Sequence, residues 1–138
     1  MTPSQIAAVQ KSFSAVLPIA NQTGIMFYER LFAIDPRLRT LFSGDIAAQS
    51  EKLMQMIGTA VYGLYQPETI IPTVRALGIR HAGYGVSDTD YETVGAALLW
   101  TLEQGLGPAF TPEVAEAWSA AYTMLADTMK TAGREAKA

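Results

Sequence analysis

The stretch from Val74 to Gly85 reads Val-Arg-Ala-Leu-Gly-Ile-Arg-His-Ala-Gly-Tyr-Gly and contains His81, the only histidine of the chain. A single imidazole on an apolar helix can anchor a metal whose other ligands belong to a cofactor. A site built from several histidines or cysteines is excluded, because the chain has no cysteine and no second histidine. The alternative is a histidine of the core or surface with an ordinary hydrogen bond, which is the commoner role of a lone histidine.

Composition predicts one folded domain over residues 1–138. Hydrophobic residues make up 49% of the chain and charged residues 17%, which favours an apolar, helical fold over disorder. The net charge is −3 and the basic residues are scattered, so we expect neither nucleic acid nor membrane as a partner. The sequence shows no secretory leader and no run of roughly 20 apolar residues, and the expected location is the cytoplasm.

Helix signals follow one another along almost the whole chain. Thr2–Gln5 has an N-cap, a first-turn proline and a glutamine three residues after the cap, and Thr111–Glu113 repeats the cap and the proline. Ser87–Asp90 starts a long helix, and apolar residues recur at helical spacing with no convincing strand. We predict an all-α domain of about seven helices, with a loop at 43–45 and a frayed tail over 133–138.

Glycines bracket His81 at Gly78, Gly83 and Gly85. Glycine inside a helix costs about 0.5–1 kcal/mol relative to alanine, so several near one imidazole indicate close approach by a bulky group. The alternative is a helix C-cap followed by a turn into the next helix.

Two other positions are candidates for polar contacts with a ligand. Gln49 and Leu53 lie one turn apart on one helix face, so the glutamine can hydrogen-bond a small ligand beside an apolar wall. The alternative is a solvated glutamine, since glutamine is mostly exposed. Of the adjacent Phe27 and Tyr28, one should face inward, and a buried tyrosine hydroxyl needs a partner.

Six motifs occur in an order and at a spacing that together are specific. They are Phe27-Tyr-Glu-Arg-Leu-Phe32, Asp35-Pro36 leading to Leu41-Phe42, Gln49 with Leu53, His81, Tyr91-Glu-Thr-Val-Gly95, and Ala117-Trp-Ser-Ala-Ala-Tyr122. With these motifs the chain resembles the globin family, and within it the single-domain bacterial haemoglobins and the globin domain of flavohaemoglobins. The resemblance extends from about Gln5 to Met129 and implies a globin fold that encloses a haem pocket.

On the side of the haem that the resemblance calls proximal, His81 matches the ligand of the iron, which implies haem b as the cofactor. Tyr91 matches a tyrosine that stands behind this histidine. The glutamate that accompanies the tyrosine in the family is missing: Gly133 falls at its position, and Glu135 lies two residues beyond. A strongly electron-donating proximal side is therefore expected only if Glu135 reaches back.

On the opposite, distal side, Tyr28 and Gln49 match a pair that donates hydrogen bonds to the bound gas. Leu53 matches the apolar wall over the iron, and Phe42 the aromatic that packs on the haem face. Bound O2 carries partial negative charge, so a phenol O–H and an amide N–H both stabilise it. This hypothesis predicts slow O2 release and high affinity.

The resemblance also implies the remaining contacts of the pocket. Four apolar residues are expected to line its proximal part: Leu77, Val86, Val94 and Leu98. Lys52 and Arg80 are candidate partners of the haem propionates. Their alternative role is that of solvated surface charges, which contribute about 0–1 kcal/mol in pairs.

The implied function is binding of O2 and of other diatomic gases such as NO and CO. One version is a nitric oxide dioxygenase that turns NO into nitrate with electrons from an external reductase, because the chain carries no dinucleotide fingerprint. Another version is non-catalytic storage, delivery or sensing of O2. A third is a globin-folded interaction module without haem, which the presence of His81, Phe42, Tyr28 and Gln49 disfavours.

Overall fold

The computed structural model describes residues 1–42 and 44–137, which form six α-helices and four short 3-10 helices. The α-helices are α1 (Pro3–Val16), α2 (Ala20–Ile34), α3 (Ile46–Tyr62), α4 (Ile71–Gly83), α5 (Asp88–Leu106) and α6 (Pro112–Lys137). The 3-10 helices are Leu17–Ile19, Pro36–Leu41, Pro67–Thr69 and Gly107–Ala109. The described residues contain no strand, so the all-α prediction is confirmed, with a helix count close to the expected seven.

Local capping interactions start several of these helices. The Thr2 side chain accepts from the Gln5 backbone N–H while the Gln5 side chain accepts from the Thr2 N–H, at 3.1 and 2.9 Å. Ser87 and Asp90 form the same reciprocal pair at the start of α5. Each pair satisfies two N–H groups that would otherwise be free. Because the two residues of a pair lie only three positions apart, the sequence alone predicts these helix starts.

The largest part of the core joins the first and last helices. Phe13 of α1 and Trp118 of α6 are buried there, with ring centroids 6.4 Å apart. The Trp118 Nε1–H donates to the Ser12 Oγ at 2.8 Å, so the polar atom of the buried indole is satisfied.

The helices α3 and α4 are held by different partners. α3 packs on α2, whereas α4 packs along α6, and α2 also packs on α5. In the part of the chain that the structure describes, α3 and α4 share no extensive contact. We call the region between α3 and α4 the crevice. Side chains of α5 border it: Tyr91 contacts His81 of α4, and Val94 and Leu98 pack against the same cluster as Leu53 of α3.

Glycines allow the closest helix contacts. A Cβ added at Gly78 of α4 would lie 2.5 Å from the Met129 Cα of α6, and one added at Gly24 of α2 would lie 2.7 Å from the Ser50 Cβ of α3. No side chain fits at either point without a shift of the neighbouring helix.

The end of the chain differs from the sequence-based prediction. The tail was expected to fray over 133–138, but α6 continues to Lys137 and Gly133 is buried. A Cβ at Gly133 would lie 3.0 Å from the Ala82 Cβ, so this glycine is a packing position against α4 rather than a helix stop. Ser43 of the predicted loop and Ala138 lie outside the described residues. None of the described helices is long and apolar enough to cross a membrane.

Candidate functional site

His81 lies in the last turn of α4, half-buried at the crevice. Burial lowers its pKa, and the positive charge of Arg80 lowers it further. The imidazole is therefore neutral at pH 7, the form that binds a metal. Among residues 1–42 and 44–137, no cluster of three histidine or carboxylate side chains could hold a metal ion, so His81 can supply one ligand to a group that brings the others.

Tyr91 of α5 stands beside the His81 ring. Its hydroxyl lies 3.5 Å from the His81 Nδ1, at the outer limit of a hydrogen bond, and the ring centroids are 6.1 Å apart. Tyr91 is 8% exposed, and burial raises its pKa, so the phenol keeps its proton. Tyr91 and His81 thus contact each other, and the role of Tyr91 behind an iron ligand stays a prediction.

Tyr122 of α6 holds Tyr91 in turn. The Tyr122 hydroxyl donates to the Tyr91 carbonyl oxygen at 2.5 Å. The two helices approach closely because Gly95 faces the Tyr122 ring, where an added Cβ would lie 2.7 Å from the Tyr122 Cε2. Sequence reasoning named Tyr122 and Gly95 only within motifs and missed this supporting role. The one local signal was the spacing of Gly95, one helical turn after Tyr91.

Glu135 does not reach the histidine. Its carboxylate forms an ion pair with Arg75 of α4 and is largely exposed. Gly133, which lies where the resemblance puts a glutamate, packs against Ala82 and the Gly78 carbonyl. No described carboxylate therefore accepts a hydrogen bond from Tyr91 or His81.

Tyr28 of α2 belongs to a cluster of buried side chains with Phe27, Leu31 and Leu38. Its side chain is 5% exposed, and the rings of Phe27 and Phe42 each lie 5.1 Å away in edge-on contact. Burial raises the pKa of Tyr28 to about 12, so the hydroxyl is protonated. This hydroxyl forms no hydrogen bond with any other described residue, and its oxygen is not fully buried, since the fully buried side-chain atoms without a partner are the Arg30 Nε and the Ser50 Oγ. The Tyr28 O–H is therefore free to donate to a group that enters beside it.

Two other predicted distal residues lie near this phenol. Phe42 follows the 3-10 helix Pro36–Leu41 and packs on Tyr28, and Leu53 of α3 packs against the same cluster. Gln49 is half-buried one turn before Leu53, and its amide forms no hydrogen bond with a described residue. The geometry brings Phe42 and Leu53 together with Tyr28 and leaves the role of Gln49 untested.

One face of α5 connects the two sides. Tyr91 contacts His81, and three and seven residues further on Val94 and Leu98 pack against the Tyr28 cluster. Residues at these spacings share a helix face, so the His81 and Tyr28 groups lie along one apolar surface. Two more predicted lining residues, Leu77 and Val86, pack beside Tyr91.

Lys52 of α3 and Arg80 of α4 are both exposed. Neither forms an ion pair with a described residue. Both side chains therefore have their charge free, and their expected contact with haem propionates stays a prediction. Taken together, the site offers one neutral imidazole, an apolar surface and a phenol that lacks a partner, a donor set that fits haem.

Comparison with known proteins gives one family model and several relatives. The model described as Globin matches residues 25–129, a span that contains Tyr28, His81 and Tyr122. Neuroglobin of Danio rerio is 33% identical over 120 residues, which cover 77% of this chain and 76% of that protein. A flavohemoprotein of Bordetella parapertussis is 35% identical over 135 residues, covering 92% of this chain and 33% of its own length. A flavohemoprotein of Rhizobium meliloti is 32% identical over 131 residues, covering 89% and 32%. The chain thus spans about a third of these flavohemoproteins.

Proposed function

The chain belongs to the globin family, and we propose that it holds haem b in the crevice between α3 and α4, with His81 as the iron ligand. When bound, haem supplies a ferrous iron that takes O2, NO or CO. The observation that carries the proposal is the arrangement of two groups along one face of α5: the His81–Tyr91 pair, and the Tyr28 hydroxyl, which forms no hydrogen bond with a described residue. A diatomic ligand provides the missing partner.

On the proximal side, the residues orient the imidazole. Tyr91 limits rotation of the His81 ring, and Tyr122 fixes the backbone of Tyr91. Leu77 and Val86, beside Tyr91, and Val94 and Leu98, beside Tyr28, would keep water from the pocket. Lys52 and Arg80 would bind the propionates of the haem, and Phe42 would pack on the porphyrin.

On the distal side, the residues act on the gas. With haem bound, the Tyr28 hydroxyl and the Gln49 amide would donate hydrogen bonds to the gas, and Leu53 would limit the space available to it. These donors stabilise a ligand that gains negative charge, so they slow the release of O2 more than that of CO.

We propose NO detoxification as the activity. One NO and one O2 combine with one electron to give one nitrate ion, and a separate cytoplasmic reductase supplies the electron. Support comes from the similarity to flavohemoproteins and from the protonated Tyr28 phenol, which favours developing negative charge at the gas.

Storage or delivery of O2 without catalysis is the second candidate function. The observation that favours it is the proximal side, where Glu135 binds Arg75 and no described carboxylate stands behind His81. A histidine without such a partner donates less electron density to iron, which suits reversible binding.

Optical spectroscopy and NO consumption test these proposals. The haem-loaded protein should show a ferrous Soret band that shifts with CO. His81→Ala should abolish the spectrum of a histidine-ligated haem, whereas the matched control Ile79→Ala, exposed on the same helix, should retain it. With a generic reductase, nitrate formation no faster than with free haem would exclude the dioxygenase and leave the carrier. A protein that takes up no haem would exclude both.

A further inference from the structure

A pocket of about 110 Å³ lies beside the close contact of α4 with α6, and we name it the α4–α6 pocket. Gly78 of α4 and Gly133 of α6 both border it. Because neither residue has a side chain, nothing from these positions fills the space. A water molecule takes about 30 Å³ in the liquid, so the pocket has room for an ion of a few heavy atoms.

Part of the lining is apolar. Ala82 of α4, Val86 of the following loop and Met129 of α6 contribute hydrocarbon surface. Met129 is buried, and Val86 packs with it in one cluster. This side of the pocket therefore suits the alkyl part of a ligand rather than a charge.

The rest of the lining is mostly cationic. Lys130, Arg134 and Lys137 of α6 border the pocket at spacings of four and three residues, so their charges lie on one helix face and repel one another. Arg134 forms an ion pair with Asp88, which also lines the pocket, and the Lys130 Nζ lies 3.6 Å from an oxygen of Asp127. Lys137 forms no ion pair with a described residue. Three cations against one lining carboxylate favour an anion in the pocket.

Tyr91 connects the pocket with His81. It lines the pocket, and its hydroxyl lies 3.5 Å from the His81 Nδ1. Burial raises the pKa of Tyr91, and the negative charge of Asp88 raises it further, so charge at the pocket acts on this phenol.

The Tyr91 hydroxyl needs an acceptor if His81 binds iron. With Nδ1 facing Tyr91, Nε2 is the ring nitrogen left for the metal, and Nδ1 keeps its proton and donates to the Tyr91 oxygen. The Tyr91 O–H then has no other acceptor among the described residues. An anion in the pocket beside Tyr91 supplies one.

We propose that the α4–α6 pocket binds a small carboxylate such as acetate. Its carboxylate group interacts with the cations of α6 and with the Tyr91 hydroxyl, and its alkyl group lies toward Val86 and Met129. Phosphate has no apolar part for this surface, so a carboxylate matches the lining better.

The bound carboxylate acts on His81 through Tyr91. An acceptor for the Tyr91 O–H makes the phenol oxygen a better acceptor for the His81 Nδ1–H, which increases the electron density of the imidazole. The pocket is thereby an effector site that strengthens the bond between histidine and iron. This effect rests on the proposed function, whereas binding of the carboxylate does not need haem.

The first test is a titration with acetate at constant ionic strength, followed by the methyl resonances of Val86 and Met129 in the haem-loaded CO complex. Acetamide, which has the same shape without the charge, should not bind. Lys130→Gln and Arg134→Gln should each weaken acetate binding by about tenfold. Lys11→Gln is the matched control, because it removes the same charge from an exposed site on α1.

Asp88→Asn distinguishes a ligand site from cations that only stabilise the end of α6. It releases Arg134 from its ion pair and removes the one lining carboxylate, so acetate should bind about threefold more tightly. An exposed ion pair of this kind contributes little to stability, and the variant should stay folded.

The second test measures the iron–histidine stretching frequency of the ferrous protein by Raman spectroscopy. Acetate should raise this frequency in the wild-type protein. Tyr91→Phe should bind acetate within about threefold of the wild-type affinity, because the cations remain, but should show no rise in frequency.

Three results would overturn the inference. They are equal acetate affinity in Arg134→Gln and Lys11→Gln, binding of acetamide or phosphate as tight as that of acetate, and an unchanged stretching frequency at saturating acetate. Failure of the proposed function is distinct: a protein that takes up no haem would exclude the action on iron, while the methyl resonances still report whether acetate binds.

Discussion

The two helix contacts that frame the crevice differ in extent. α4 lies along α6 at two glycine positions, Gly78 and Gly133. The helix turn that carries His81 comes directly after Gly78 in the chain. α2 and α3 touch closely at Gly24 and then leave a cleft of about 300 Å³. The comparison indicates that backbone packing fixes the helix that carries His81, whereas the side of the fold that carries Tyr28 is packed less closely.

The largest expected change in stability is at the close contact of α4 with α6. Gly78→Val would force the Met129 backbone away, and overpacking of this kind should lower the free energy of unfolding by about 3 kcal/mol or more. Gly83→Val is the matched control on the same helix, with no atom near its added Cβ, and should change stability by less than about 0.5 kcal/mol. Urea unfolding measures both, and equal losses would contradict a special role of the Gly78 contact.

The buried distal phenol predicts a pH dependence. Burial raises the pKa of Tyr28 to about 12 from its ordinary value of 10.0, so the folded state holds the proton more tightly than the unfolded chain. Stability is therefore complete below pH 10 and is lost as the pH rises toward 12, by roughly 2 to 3 kcal/mol. Tyr28→Phe should reduce the loss measured by urea unfolding at alkaline pH by this amount, because Tyr91 and Tyr122, whose pKa values burial also raises, keep their own contributions. The exposed Tyr84→Phe should retain it.

The contact of α2 with α3 should tolerate an added side chain better than the contact of α4 with α6. Gly24→Ala places its Cβ 2.7 Å from the Ser50 Cβ, and separation of the helices toward the empty cleft should limit the loss of stability to about 2 kcal/mol. Gly58→Ala, whose Cβ would meet the Phe13 ring at an ordinary 3.4 Å, serves as the control. A loss at Gly24 as large as that at Gly78 would show that both contacts are equally rigid.

Replacement of Tyr28 and of Tyr91 by phenylalanine should change the rate of O2 release unequally. Tyr28→Phe should speed O2 release by about tenfold, since a hydrogen bond to a partly charged ligand is lost. Tyr91→Phe removes only the 3.5 Å contact with His81 and should change the same rate by less than about threefold. Stopped-flow displacement of O2 by CO measures both rates. An unchanged rate in Tyr28→Phe would remove Tyr28 from the mechanism.

The smallest effect is expected at Glu135. Glu135→Gln breaks an exposed ion pair with Arg75 and should cost less than about 1 kcal/mol. Because this carboxylate lies away from His81, the iron–histidine stretching frequency in the Raman spectrum should stay unchanged. A shifted frequency would mean that Glu135 does act on the proximal side.

Local patterns predicted what local interactions determine. The capping pairs Thr2–Gln5 and Ser87–Asp90 lie within one helical turn, so their residues identify the helix starts directly. Gly133 was misjudged because its environment comes from Ala82 and Gly78, more than fifty residues earlier in the chain. The cleft between α2 and the first turn of α3 was missed for the same reason, since Ile25, Arg39 and Ile46 become neighbours only after folding.

The dependence of α4 on α6 has a consequence for synthesis. A ribosome makes the His81 helix well before it makes the surface on which that helix rests, because Met129 and Gly133 belong to the last helix. Until α6 leaves the ribosome, α4 lacks its packing partner, and the contact of Tyr122 with Tyr91 is missing as well. Haem capture by a nascent chain is therefore expected to wait for α6, so translation order sets the moment at which the protein acquires its cofactor.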